Sequence, residues 1–192
     1  HLPGMVVVCP SSPYDYKGLM AASIQSDDPV VFIENKRQLN KLVSSHPLDT
    51  FVPEERYTVP LGKAKVVREG SDVTLVTISA SVGDALVAAS TLEGEGISVE
   101  VVDLRTLVPL DIATVATSVA KTGRLLVVDE DFLSYGMSGE IIARTIEELG
   151  TTAVRQVRRH AMPDIPLPAS IALETAAVPS ADSIATVIRS MS

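Results

Sequence analysis

Four groups of residues in this chain are of types that could do chemistry. The first is the acidic run Asp129-Glu130-Asp131, which follows an apolar stretch at residues 124–128. That stretch reads as a parallel strand, and the carboxyl ends of such strands are where open α/β sheets take their ligands. Three carboxylates there could hold a divalent cation or supply an acid–base pair. No spaced set of further ligands accompanies them, so a solvated loop, with one carboxylate capping or pairing with an arginine, is the plainer reading. The second group, Gly136-Met137-Ser138-Gly139, precedes a helix, whose free N–H groups attract anions. It lacks GxGxxG and the lysine of a P-loop, which favours a simple tight turn. The third is the basic cluster Arg155, Arg158, Arg159 and His160. On a strand, Arg155 and Arg159 would share one face and Arg158 and His160 the other. Such a cluster suits either an interchain contact or an edge strand guarded against wrong pairing. Last come His1, His46 and His160, without metal-ligand spacing, and Cys9, without a partner motif or a GxSxG elbow elsewhere. Residue types and spacing alone therefore name no reaction.

The elements that must position these groups are clearer. Residues 73–78 are a β-branched apolar run too short for a helix, as in a strand buried on both faces. Ser81 is placed to cap a helix carrying Asp84 in its first turn, and Val82, Ala85, Leu86, Ala89 and Leu92 recur at helical spacing. Gly94 and Gly96 stop that helix, and residues 97–104 form a second strand. Strand, helix and strand make a right-handed βαβ unit, so the fold class is α/β.

Composition narrows the function classes. The 192 residues carry 24 Asp and Glu against 16 Lys and Arg, a net charge of −8, which argues against nucleic acid as a partner. Hydrophobic residues make up 46%, enough for a core. One cysteine cannot form an intrachain disulfide, which suits a reducing compartment. Neither a signal-like segment nor an uninterrupted apolar run of bilayer length is visible, so no membrane partner is expected. The chain opens on His1 rather than Met, which reads as a start within a longer protein.

Three regions follow. Residues 1–34 form a short β-α-β unit, with Leu19, Met20, Ser23 and Ile24 as the helix's inner face and residues 30–33 as a buried strand. Two strands and a helix cannot cover a sheet, so this unit is expected to be the remnant of a larger domain. Residues 35–60, with Pro47, Pro53 and Pro60, are an irregular linker. Residues 61–192 form the main domain: a charged edge strand at 61–69, a helix opening at Pro109-Leu110-Asp111 and closing at Gly123, a helix capped by Ser138 and ended by Gly150, a strand through Val154 and Val157, and a last helix at 180–191 burying Ile184, Val187, Ile188 and Met191.

Several runs, taken in order, resemble one family. They are His1-Leu2-Pro3-Gly4-Met5, Tyr14-Asp15-Tyr16-Lys17-Gly18-Leu19-Met20 and Asp28-Pro29-Val30-Val31-Phe32-Ile33-Glu34. Val52-Pro53-Glu54-Glu55-Arg56-Tyr57 continues the pattern, and Val101-Val102-Asp103-Leu104-Arg105-Thr106-Leu107 with Pro109-Leu110-Asp111 is its most typical part. Pro163-Asp164-Ile165-Pro166-Leu167-Pro168 and Val178-Pro179-Ser180 complete it. Nearly the whole chain is similar to the β subunit of thiamine-dependent 2-oxoacid dehydrogenases, the E1 component.

That resemblance implies a three-layer α/β/α transketolase C-terminal-like domain with a five-stranded, mostly parallel sheet whose first strand is antiparallel, preceded by the end of a pyrimidine-binding domain. It implies thiamine diphosphate and Mg2+ in an assembled enzyme that decarboxylates a 2-oxoacid and passes the acyl group to a lipoyl group. The implied partners are an E1 α subunit, a second E1 β subunit and the peripheral subunit-binding domain of the E2 acyltransferase. The implied compartment is the cytoplasm or the mitochondrial matrix. His1 matches an active-site histidine near the thiazolium. The activating glutamate and the diphosphate–Mg2+ motif have no counterpart in these residues, so the chain alone is expected to bind no cofactor. Many members carry His-Glu where this chain has Asp129-Glu130. The rival expectations are the C-terminal half of a transketolase or of deoxyxylulose phosphate synthase, and a non-catalytic interaction module of the same fold.

Overall fold

The computed structural model describes residues 3–39, 48 and 51–191. In chain order the elements are β1 (Val6–Val8), α1 (Pro13–Ile24), β2 (Val30–Phe32), α2 (Lys36–Leu39), β3 (Lys65–Arg68), β4 (Val73–Thr77), α3 (Ser81–Glu93) and β5 (Val99–Asp103). Then come β6 (Thr106–Val108), α4 (Ile112–Thr122), β7 (Arg124–Phe132), α5 (Met137–Leu149), β8 (Gln156–Met162), α6 (Ile171–Ala177) and α7 (Ala181–Arg189).

Five strands form the larger sheet, in the order β3-β5-β4-β7-β8. β4 pairs in parallel with β5, from Val73 opposite Val99 to Thr77 opposite Asp103, and on its other side with β7. β8 runs parallel to β7, and β3 antiparallel to β5. Every residue of β4 and β5 is buried, because both faces of the sheet are covered. On one face Leu75, Val101, Leu126 and Val128 pack with Ala85, Ala89 and Leu92 of α3 and Ile184 and Ile188 of α7. On the other, Val76, Val102, Leu125 and Val127 meet Val115 and Val119 of α4 and Ile141 of α5. The result is the expected three-layer α/β/α arrangement with a mixed sheet.

Helix ends follow local chemistry where the expected caps form. Asp111 caps α4 by accepting from Thr114 N–H at 3.3 Å, and Gly123 closes it with φ +68. Ser180 and Ser183 cap α7 reciprocally. Other expectations are corrected. Ser81 does not cap α3: Ala80 holds the cap position without a side-chain bond. Gly94 is right-handed (φ −62), and Gly96 (φ +80) alone of the pair makes the left-handed turn. Ser138 lies inside α5, whose cap residue is Gly136. β7 continues through the acidic run to Phe132 instead of giving way to a loop at Asp129. α6 was not anticipated; it is a two-turn helix with no buried residue.

The 19 residues Ile171–Arg189 reach a mean hydropathy of 1.3, apolar enough to cross a bilayer as one helix. They are not one helix: Val178 is extended (φ −82, ψ 139), and α7 then buries Ile184 and Ile188 in the core.

A smaller sheet has the order β2-β1-β6. β1 pairs in parallel with β2, as a β-α-β unit should, but it is not isolated. Its other neighbour is β6, antiparallel, with Val7 opposite Val108 and Val8 opposite Thr106. The chain leaves β5 of the larger sheet and within three residues enters the smaller one. Val6, Val8, Leu19 and Val59 make a small apolar cluster there, with Tyr14 stacked on Tyr57 at 4.5 Å. Gly18 is required at this spot: a Cβ would stand 2.5 Å from Val59, whose N–H donates to Gly18 O. Met20 and Ile24 are exposed rather than on an inner face, and residues 30–33 are half-exposed rather than buried. One helix and three strands leave those side chains without a layer above them.

Candidate functional site

The carboxyl ends of β4, β5 and β7 are the place to look for a ligand in such a sheet. In this chain the N-terminal segment occupies it. β5 ends on Asp103, which is fully buried; its Oδ2 accepts from Ser11 Oγ and its Oδ1 from Arg105 N–H at 3.0 Å. Arg105 adopts φ +60, uncommon for a side-chain-bearing residue. Its carbonyl accepts from Cys9 N–H at 2.8 Å and its guanidinium meets Asp15 Oδ1 at 2.6 Å. Asp15 in turn accepts from Ser12 Oγ at 2.8 Å, the same serine that caps α1. Asp15 is 2% exposed and Arg105 8%, so this ion pair is almost dry.

A second knot adjoins the first. Glu130 accepts from Asn35 Nδ2 at 2.8 Å, Arg37 Nη1 at 2.7 Å and Ser81 Oγ at 3.1 Å. Arg37 also reaches Asp84 at 2.9 Å, and Gln38 Nε2 donates to Ser11 O at 2.8 Å. The hydroxyl of Ser81 is thus turned toward Glu130, which explains why it does not cap α3.

The acidic run has three separate fates. Asp129 is buried at the start of α5, its Oδ1 accepting from Asp131 N–H at 2.9 Å. Its Oδ2 makes no hydrogen bond of full geometry, but it stands 3.0 Å from where a Cβ on Gly136 would be. Burial pushes the Asp129 carboxyl above its ordinary value, while the N–H groups of Asp131, Ser138 and Met137 draw it back. The anion position before Gly136-Met137-Ser138-Gly139 is therefore filled by the chain's own carboxylate, which replaces the phosphate-cradle reading. Glu130 belongs to the junction, and Asp131 is exposed, accepting from Phe132 N–H at 2.7 Å. Among the described residues no three His, Cys, Asp or Glu side chains gather to hold a metal.

The basic cluster is dispersed as strand alternation requires. Arg155, just before β8, donates to Thr122 O at the end of α4. Arg159 donates to Leu133 O on the side of α5, and His160 on the opposite side shares a 2.7 Å bond with Ser183 of α7. Burial holds His160 below the usual histidine value. Cys9 is buried, and desolvation, then the charges of Asp103 and Asp129, push its thiol up to about 12, so it is no thiolate nucleophile. His1 and His46 lie outside the described residues.

Among the described residues the one histidine–serine bond, His160 to Ser183, ties β8 to the cap of α7, while the Ser11–Asp103 and Asp15–Arg105 contacts sit between the sheets. What the arrangement does is fasten two sheets. Sequence reading missed Ser11, Asp15, Asp103 and Arg105; the available signal was a carboxylate, Asp103, closing a valine-rich strand with a charged residue two places on.

Residues 62–184 match the family model described as transketolase, C-terminal domain, and residues 1–41 match the transketolase pyrimidine-binding domain. Over 189 residues the chain is 43% identical to the β subunit of acetoin:2,6-dichlorophenolindophenol oxidoreductase from Cupriavidus necator, covering 98% of this chain and 54% of that one. It is 46% identical to the pyruvate dehydrogenase E1 β subunit of Bacillus subtilis (88% and 50% covered). It is 43% identical to mitochondrial pyruvate dehydrogenase E1 β-2 of Oryza sativa subsp. japonica (96% and 48% covered). The chain thus spans about half the length of these relatives. A solved split-gene transketolase, described as an inactive β4 tetramer, superimposes with a TM-score of 0.79 at 23% identity, covering 99% of this chain and 58% of that one. With the model match extending over most of the chain, on the fold just described, the protein belongs to the transketolase C-terminal domain family and carries part of a pyrimidine-binding domain before it.

Proposed function

We propose that this chain is the C-terminal part of the β subunit of a thiamine diphosphate-dependent 2-oxoacid dehydrogenase, an oxidoreductase. The observation that carries the reading is the 41–46% identity to pyruvate dehydrogenase E1 β subunits and an acetoin oxidoreductase β subunit, over 88–98% of this chain. The buried knot of Ser11, Asp15, Asp103 and Arg105 supports it, since it bonds the N-terminal segment to the end of β5 in the larger sheet. In this reading the chain supplies assembly surface toward an E1 α subunit, a second β subunit and the E2 acyltransferase. His1 is the active-site histidine, working beside substrate held mainly by other parts. The domains run 1–34, 35–60 and 61–192. Thiamine diphosphate supplies the decarboxylation chemistry in the assembled enzyme, with Mg2+; the 192-residue chain alone holds neither. The compartment is the cytoplasm or, in a eukaryotic source, the mitochondrial matrix.

Purification through a tag after Ser192 tests the reading. It should bring down an α-type subunit in equal amount, with 2-oxoacid decarboxylation that needs added thiamine diphosphate. A self-sufficient dimer without such a partner would overturn it in favour of an interaction module. Isothermal titration showing tight thiamine diphosphate binding by the isolated chain would overturn the division of the cofactor site.

A further inference from the structure

β8 is the outer strand of the larger sheet, and no described residue pairs with its far side. An edge strand presents a row of unpaired N–H and C=O groups there, which natural proteins usually blunt. The opposite edge is blunted: β3 is four residues long, its register shifts between Val66 and Arg68, and Arg68 is ion-paired to Glu93 at 2.9 Å. β8 is seven residues long and in regular register with β7 from Gln156 to His160.

Two guanidiniums stand along this edge. Arg158 and Arg159 are both exposed, on opposite faces of the strand, and each donates only to a backbone carbonyl, of Val157 and Leu133. No described carboxylate lies within ion-pair distance of either. Asp164, which follows the strand, has its carboxylate held by Ser134 N–H at 3.0 Å and Ser134 Oγ at 2.6 Å. Just past the carboxyl end of β8 lies a strip of exposed apolar side chains: Phe132, Leu133, Ile165 and Leu167, with Tyr135 wholly exposed. Leu133 stands on the β7 side of the strand, where its N–H extends the ladder by donating to Met162 O at 2.8 Å.

We propose that β8 is a docking edge for an extended acidic segment of another protein, which adds a strand to the sheet and sets carboxylates against Arg158 and Arg159. Strand addition uses main-chain bonds for affinity and side chains for selectivity. Guanidinium is the group best matched to carboxylate, and two exposed arginines with no ion pair among the described residues stand out in a chain of net charge −8. A second copy of this chain is the wrong occupant: pairing β8 with itself would bring arginines opposite arginines, and like charges across strands destabilise. The proposal rests on β8 and its surroundings and stands apart from the subunit reading.

The test uses the whole chain and a fluorescein-labelled peptide of alternating Glu and Val, followed by anisotropy. The peptide should bind, should weaken as salt is raised, and should bind roughly tenfold less well when its Glu residues are replaced by Lys. Arg158→Glu should cost a similar factor; its side chain bonds only to its neighbour's carbonyl, and circular dichroism checks the fold. N-methylation of alternate peptide amides, which removes strand bonds without altering the protein, should abolish binding. Absence of binding, equal binding of the Lys peptide, or indifference to N-methylation would each overturn the proposal. So would a chain dimer in sedimentation that Arg158→Glu disperses, which would assign the edge to a second copy.

Discussion

The two sheets of this molecule are made from the same kind of sequence and held by opposite means. Val73–Thr77 in the larger sheet and Val6–Val8 and Val30–Phe32 in the smaller are all short β-branched runs. Two helical layers bury the first completely, whereas Val31 and Ile33 of the smaller sheet, with Met20 and Ile24 of its helix, remain exposed. The larger sheet coheres by apolar burial between layers. The smaller one has a modest apolar cluster and is fixed instead by a borrowed strand, β6, and by the dry Asp15–Arg105 pair and Ser11–Asp103 bond. A valine run therefore specifies a strand, while the number of layers decides whether that strand is a core.

If polar bonds fasten the smaller sheet, Arg105→Ala should be the most damaging single change there. It leaves the Asp15 carboxylate buried without its cation, at a cost of about 3–5 kcal/mol. The loss should appear as accelerated hydrogen exchange at Val6–Val8 and Phe32, with the amides of Val73–Thr77 protected as before. Equal loss of protection in both sheets would show them to be one cooperative unit.

Core truncations cut the comparison the other way. Leu126→Ala and Leu19→Ala both remove fully buried side chains. The first should lower the main denaturant transition by roughly 2–5 kcal/mol, because it opens a cavity between β7 and the α3–α7 layer. The second should leave that transition almost unmoved and weaken only the cluster of Val6, Val8 and Val59. Comparable shifts in the main transition would mean that the smaller sheet shares the core's stability.

These contrasts also explain what could be read from the residues beforehand. The layered architecture was legible because strands buried on both faces are unbroken apolar runs and their helices carry one stripe, as Val115, Ala116 and Val119 do in α4. The strand character of Asp129-Glu130-Asp131 was not, since acidic residues are poor strand formers and Asp129 and Glu130 are accommodated by distant groups: the α5 amides for Asp129, Asn35, Arg37 and Ser81 for Glu130. β6 was hidden for the same reason, its partner Val7 lying about a hundred residues earlier in the chain. Of the junction, only Asp103 carries a local signal, as a carboxylate at the end of a valine-rich strand, and nothing local marks Ser11 or Asp15 as its neighbours.

Asp103 makes the junction pH-sensitive. Burial, against the bonds from Ser11 and Arg105, raises its pKa from 3.8 to about 7. The folded chain therefore holds this proton more tightly than the unfolded one. Its contribution to stability is full below about pH 4 and is lost as pH rises through about 7. Asp103→Asn, neutral throughout, should flatten that decline: the difference in urea midpoint between variant and parent should grow in the variant's favour from pH 5 to pH 8. A constant difference across that range would place the titration elsewhere.

The smallest expected effects come from two serine caps, one on each side of the comparison. Ser12 Oγ accepts from Asp15 N–H at 3.1 Å at the start of α1, and Ser180 Oγ accepts from Ser183 N–H at 3.3 Å at the start of α7. Replacing either by Ala costs its helix about 1 kcal/mol. α7 lies on the core through Ile184 and Ile188, so Ser180→Ala should move the main transition by nearly that amount. α1 carries Leu19 and Tyr14 into a separate cluster, so Ser12→Ala should move it hardly at all and instead quicken exchange in the first turn of α1. Ser12→Ala also removes a bond to the buried Asp15 carboxylate, so its local cost is the larger of the two. A smaller shift of the main transition despite that marks where the larger core's cooperativity ends, and a shift equal to or above that of Ser180→Ala would mean that it crosses the junction.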